Sequence, residues 1–318
     1  MLVGVADPLL EKAERAAATF GAERAVGSCE ELLELGVDCV VVATPHDAHF
    51  EPARLALLAG ADVLVEKPMV LRADEAFELN RIAAEGGVDL HVGYTFLYTR
   101  HVQNLRAAVA AGALGETVLA TGLFATAMHT LFERIVAPSL DGTPEALFAP
   151  NADTYASAAH GGGQALSQLT HAVAVLLYVL DADPTDITGL SERHGFSVDV
   201  TDALAFRTSR GALVSASSTG VVRDQSQAFE EYRLFGTSAH AALDTLKGTL
   251  SYFRDGVVEE VPPLAPGEMY PASEPLNRLV ECRLGRAGVI AGGNLGLRVT
   301  TVLETLIRDQ GADVGIAL

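Results

Sequence analysis

The sequence predicts two kinds of architecture in one chain: a doubly wound, parallel α/β sheet at the N-terminus, then an α+β domain with an open, mostly antiparallel sheet. Over residues 1–115, short apolar runs alternate with amphipathic segments of helical period. From Glu116 the rhythm changes to longer strand-like runs separated by turn pairs such as Arg210-Gly211 and Asp255-Gly256. The length of 318 residues suits two domains, divided as 1–115 and 116–318.

The first strand, Leu2 to Ala6, runs into Asp7-Pro8, an N-cap residue followed by proline at the first helical position. The helix that follows reaches about Phe20 and closes at Gly21. A short strand at Arg24–Val26 leads into Ser28-Cys29-Glu30-Glu31, a capping-box start for a helix over 29–35, which Gly36 ends. Strand 38–43, a helix from Phe50 to Ala59 stopped by Gly60, strand 62–66, helix 73–85 and strand 88–94 complete the series. In the second part Thr117–Thr126 reads as a strand, and a loop rich in Pro, Asp and Gly is expected over 137–159. A helix over 164–180 precedes strands at 186–194, 198–209, 211–222, 230–236, 240–245 and 249–254, and a helix over 294–310 closes the chain.

Composition excludes several classes. A net charge of −19 repels phosphate backbones, and no basic stripe offsets it, so no nucleic-acid partner is expected. No apolar run approaches the roughly 18 residues of a membrane span, and the start lacks the basic and apolar regions of a signal peptide. Cys29, Cys39 and Cys282 are odd in number and far apart, which reads as buried, reduced thiols in a cytoplasmic protein. His46 and His49 are three apart, but no neighbouring cysteine or carboxylate cluster completes a metal site, and none is expected.

Chemistry concentrates at two strand ends. Val40-Val41-Val42-Ala43 finishes in Thr44-Pro45, and Asp62-Val63-Leu64-Val65 finishes in Glu66-Lys67-Pro68. The carboxyl edge of an open parallel sheet is where ligands bind, so Lys67 places an ammonium group at that edge. Further on, Gly161-Gly162-Gly163 permits close backbone approach to a ligand, and His171 follows one turn into a helix.

Taken in order, Ala43-Thr44-Pro45-His46-Asp47-Ala48-His49, Gly60-Ala61-Asp62-Val63-Leu64-Val65-Glu66-Lys67-Pro68, Val92-Gly93-Tyr94, Ala111-Gly112-Ala113-Leu114-Gly115-Glu116 and the glycine triplet with His171 resemble the glucose-fructose oxidoreductase / inositol dehydrogenase (Gfo/Idh/MocA) family over nearly the whole chain. The resemblance implies a Rossmann domain, a second α+β domain whose open sheet mediates homo-oligomers, and NAD(P)-dependent hydride transfer on a sugar, polyol or related alcohol or ketone. The family's first strand and its G-x-G-x-x-G turn would precede Leu2, and no such glycine spacing occurs in the sequence. The reading is therefore of an N-terminally incomplete Rossmann domain, with the expectation that the true start lies upstream or that an upstream segment was lost. At the family's aspartate position, four residues before the histidine, stands Ser167.

The resemblance assigns Lys67 and His171 as the catalytic pair. A positioned ammonium stabilises charge on the reacting oxygen, and an imidazole takes and returns the proton. Asp7, Ala43, Thr44, Pro45, His49, Glu66 and Lys67 form the cofactor side. Asp7 disfavours a 2′-phosphate, which points to NAD over NADP, although it can also be a simple helix cap. Glu66 orients the lysine or caps its strand. Tyr94, Arg100, Tyr155, His160, Gln164, Ser167 and Gln168 are candidate substrate contacts. Gln164 and Gln168, one turn apart, either meet sugar hydroxyls or satisfy the domain interface. Two other readings use the same fold: a non-catalytic ligand sensor, and an NAD-assisted glycoside hydrolase.

Overall fold

A computed structural model describes residues 1–133 and 152–309. In the first lobe, β1 (Gly4–Ala6) and β2 (Arg24–Val26) pair in parallel across α1 (Leu10–Phe20). After α2 (Cys29–Leu33), strands β3 (Cys39–Val42), β4 (Asp62–Val65) and β5 (Leu90–Val92) form a separate parallel sheet in that order, linked by α3 (Phe50–Leu58) and α4 (Ala73–Gly86). β4 is central, and all four of its residues are buried, which is why it reads as an unbroken apolar run. β3 alternates, with Val40 and Val42 buried and Val41 48% exposed, because it lies at a sheet edge.

Helix α1 begins two residues later than expected. Its N-cap is Leu9, and Asp7 instead accepts a hydrogen bond from the Leu9 amide at 2.9 Å, an Asx-type turn ahead of the helix. The single doubly wound sheet expected is observed as two parallel pieces.

The second lobe follows α5 (Arg100–Ala110), a helix that the sequence reading lacked. Its strands are β6 (Thr117–Ala125), β7 (Pro184–Glu192), β8 (Thr201–Thr208), β9 (Leu213–Thr219), β10 (Phe229–Gly236), β11 (His240–Asp244), β12 (Thr249–Arg254) and β13 (Val257–Val261). They form one sheet among the described residues, in the order β13-β12-β11-β10-β6-β9-β8-β7, antiparallel except for the β6–β9 pair. Short helices α6 (His129–Phe132) and α7 (Ala152–Ala156) flank residues 134–151. The expected loop over 137–159 therefore falls largely outside the described residues, and its last part is helical.

The expected 164–180 helix is two structures. Ala165–Leu169 forms a π turn, and α8 (Thr170–Leu180) continues from it with every residue buried. The helical stretch Ala158–Leu180 is long and apolar enough to cross a membrane, but 94% of its apolar window is buried inside the protein, as for a core helix. One face of the sheet packs on α8. After α9 (Pro266–Met269), helices α10 (Glu274–Arg283) and α11 (Gly293–Asp309) return to the first lobe: α10 lies on β3, β4 and β5, and α11 packs on α4, α8 and β7. The three cysteines are free, and all are half-buried rather than fully enclosed.

Candidate active site

The carboxyl ends of β3 and β4 meet the glycine triplet of the second lobe. Beyond β3, Ala43, Thr44 and Pro45 form an exposed rim. Thr44 Oγ1 donates to the Ala48 carbonyl at 2.8 Å and closes the turn. His49 is fully buried beneath it, with Nδ1 2.8 Å from the Pro68 carbonyl and Nε2 2.9 Å from the Thr44 carbonyl. The ring thus ties the two strand-end turns together. A neutral imidazole donates to only one of these carbonyls; burial lowers the His49 pKa, while both carbonyls oppose the shift.

Past β4, the Lys67-Pro68 peptide is cis. Glu66 is exposed, and its Oε2 accepts from the Lys67 amide at 3.3 Å. Gly93, just after β5, leaves space for this carboxylate: a Cβ there would lie 3.0 Å from Glu66 Oε2. The Lys67 ammonium donates to the Ser167 carbonyl at 3.0 Å, a bond that crosses between lobes. Burial lowers the Lys67 pKa, and Glu66 partly restores it.

The glycine triplet is shaped by what it must approach. Gly161 presents its carbonyl 2.8 Å from His46 Nδ1. Gly163 has φ +104°, and a Cβ on it would sit 2.0 Å from Asp199 Oδ1. Asp199 then holds the start of the π turn, accepting from the Ala165 amide at 2.7 Å through its side chain and from the Gln164 amide at 3.0 Å through its carbonyl. Burial raises the Asp199 pKa; it raises that of Asp202 well above its ordinary value, and the Asp199 charge adds to this.

That turn delivers His171 into an aromatic box. Its ring meets Phe96 at 5.6 Å, Phe124 at 6.1 Å and Tyr94 at 6.2 Å, all edge-to-face. Burial, and then the Lys67 charge, push its pKa well below 6.5, so the imidazole is neutral at physiological pH. His46 feels the same two influences, in the same order, and is lowered to about 4. Lys67, His171 and His46 therefore share one electrostatic environment built from both lobes.

The other sequence-predicted residues divide. Tyr155 joins the group, with its ring 5.6 Å from that of His46. His160 lies at the exposed margin and pairs with Asp47 at 2.8 Å. Ser167 contributes its backbone carbonyl, and its side chain is fully buried. Tyr94 is a wall residue: it is 1% exposed and its hydroxyl is spent on Thr170 at 3.1 Å. Gln164 faces inward, donating to Ser218 Oγ at 2.6 Å, and Gln168 reaches the Met128 sulfur at 3.3 Å. Arg100 pairs with Glu268 at 3.9 Å, and no contact among the described residues links it to Lys67 or His171. Asp7 sits apart, at the end of β1, paired with Lys12 at 3.2 Å. His46, Asp47 and Asp199 were not anticipated as site residues. The His46-His49 spacing was the available signal, and it was weighed only as a metal motif. Asp199 gives no local sequence signal, because it reaches Gly163 only through the fold.

Residues 1–94 match the family model described as oxidoreductase family, NAD-binding Rossmann fold, and residues 102–242 match the GFO/IDH/MocA C-terminal domain. The 1,5-anhydro-D-fructose reductase of Ensifer adhaerens is 28% identical over 272 residues, which cover 81% of this chain and 74% of that protein. The structure of UDP-N-acetylglucosamine 3-dehydrogenase from Acidithiobacillus ferrooxidans superposes with a TM-score of 0.76 at 22% identity, covering 98% of this chain and 90% of that one. An inositol dehydrogenase homologue from Azotobacter vinelandii, complexed with NADH and myo-inositol, gives 0.75 at 18% identity, covering 96% and 86%. At those identities the two structures speak for the fold alone. The family models together match well over half of the chain, and the protein belongs to the Gfo/Idh/MocA oxidoreductase family.

Proposed function

We propose that the chain transfers a hydride between NAD and a CH–OH carbon of a sugar, polyol or related alcohol or ketone. The observation that carries this is that the Lys67 ammonium, bonded across the lobes to the Ser167 carbonyl, lies near enough to the enclosed His171 imidazole for its charge to help keep that ring neutral. A nicotinamide ring, when bound, accepts or returns the hydride. Lys67 holds the reacting oxygen and stabilises the charge it gains as its proton leaves. His171 takes that proton at Nε2, since Nδ1 is buried without a partner. The aromatic box of Tyr94, Phe96 and Phe124 keeps the ring neutral and fixed. His49 acts one step back by tying the Thr44 and Pro68 turns that present the rim and the lysine.

The residues present fit both ends of a nicotinamide dinucleotide. The exposed Ala43-Thr44-Pro45 rim stands beside Lys67 for the nicotinamide riboside. The Asp7 carboxylate, at a strand end, suits ribose hydroxyls and opposes a 2′-phosphate, which favours NAD over NADP. We also assign the open face of the large sheet to self-association. There Phe235, Leu119 and Leu213 lie side by side on neighbouring strands, and all three are exposed.

The test is a spectroscopic assay of NADH formation over a panel of polyols and aldoses, with NAD and NADP compared. Turnover with NAD is expected. NAD binding without turnover on any member would favour the ligand-sensor reading, and cleavage of an aryl glycoside without net NADH would favour the hydrolase.

A further inference from the structure

A second cluster lies where β5 meets α10, and nothing above uses it. Asp89 immediately precedes β5, His91 is its middle residue, and Cys282 lies in the last turn of α10. One ligand-type atom from each comes within 4.8 Å of the other two. His91 is fully buried, and neither ring nitrogen has a hydrogen-bond partner. An enclosed imidazole with both nitrogens unpaired is unusual, because buried polar atoms are otherwise paired.

We infer that Asp89, His91 and Cys282 form a binding site for a divalent transition-metal ion of the zinc class, held between β5 and α10. Nitrogen, sulfur and oxygen donors about 2.0–2.3 Å from such an ion stand roughly 3.3–3.8 Å apart in a tetrahedron, so a small contraction of the cluster closes it. A thiolate with an imidazole selects zinc-like ions over magnesium or calcium, which prefer oxygen ligands. One thiolate and one carboxylate neutralise the dication, and binding releases the Cys282 proton to solvent. Asp89 and Cys282 are half-buried, which leaves a fourth position open to water. Two further charges act on His91: Arg278 opposes a cation, and Asp62 favours it. Asp62 also accepts from the Asp89 amide at 2.8 Å, which fixes the backbone at the first ligand. The distance in sequence between Asp89 and Cys282 hides this set from any spacing motif. Its consequence is structural: the ion clips the returning C-terminal segment onto the first-lobe sheet.

The test uses the full chain, stripped with a chelator and titrated with Co²⁺ as a spectroscopic probe. One ion per chain is expected, with the visible bands of a four-coordinate site and a near-ultraviolet sulfur-to-cobalt charge-transfer band that Zn²⁺ abolishes. Zn²⁺ should also raise the thermal midpoint of the stripped protein. Cys282→Ser should remove the charge-transfer band, and Asp89→Asn, which leaves the strand intact, should weaken Zn²⁺ binding by more than about 10-fold. The inference is overturned if the wild-type chain shows no such band, if the band survives Cys282→Ser, or if Asp89→Asn leaves the affinity unchanged. None of these readouts depends on dehydrogenase activity.

Discussion

At Lys67 the chemistry comes from surroundings that a sequence can only half describe. Its place after a buried strand marks it as a candidate, but its partner, the Ser167 carbonyl, is one hundred residues away. Replacing it with methionine keeps the stem and removes the charge. Turnover should fall by about 10²–10⁴-fold while the melting temperature holds; unchanged turnover would remove Lys67 from the mechanism. His46 gives a pH prediction. Its native pKa is about 4, lowered by burial and by Lys67, against roughly 6.5 unfolded. Below about pH 6.5 the unfolded chain takes up a proton that the native state refuses, so stability is full above that pH and declines toward pH 4. His49, His91 and His171 are shifted in the same direction. Denaturant titrations at neutral pH and near pH 5 should show the decline, and His46→Gln should make it shallower. Gln164 shows what residue-level reading leaves open: its position suits either a substrate amide or an internal contact, and the fold directs its Nε2 to Ser218 Oγ.

Among the elements, the π turn at Ala165–Leu169 matters most, and periodicity did not reveal it. An apolar pattern identifies a helix over 164–180 but is blind to one extra residue per turn, which rotates everything downstream. The turn aims His171 into its aromatic box, and Asp199 anchors its first amide. Gly163→Ala forces a side chain against Asp199 at a backbone conformation that only glycine adopts freely. It should cost more than about 1 kcal/mol and lower turnover, read by thermal melts and steady-state assays together. Strand β13 escaped notice for a related reason. Val257–Val261 is an edge strand exposed along nearly its whole length, so it carries no alternation of buried and open residues. Helix α5 was missed between two recognised family motifs, although Thr99 caps it by accepting from the Val102 amide.

On the scale of the whole molecule, the lobes are joined by packing and by single bonds at the site. Helix α11 provides the packing, and the Lys67–Ser167 and His46–Gly161 contacts provide the bonds. The His160–Asp47 pair is solvent-exposed, so its removal should change stability by no more than about 1 kcal/mol. The large sheet is covered by α8 on one face, while the other leaves Leu123 and Leu190 exposed in the same row, with Ser217 and Ala203 between them. If this face joins copies of the chain, Leu123→Glu should reduce the mass measured by light scattering without lowering the melting temperature of the dissociated species. A mass unchanged by this substitution and by Leu213→Glu would place the interface elsewhere.

Local sequence determined most of the alternation of strands and helices in the first lobe, and which strand ends carry an ammonium and a Thr-Pro turn. These follow from short-range steric and hydrophobic preferences, which act over a few residues. The three-dimensional packing alone decided which polar groups face the site, that Tyr94 and Gln164 turn inward, that Asp199 supports Gly163, and that His91 meets Cys282. Those outcomes depend on contacts between residues tens to hundreds apart in the chain, where burial sets both charge state and partner.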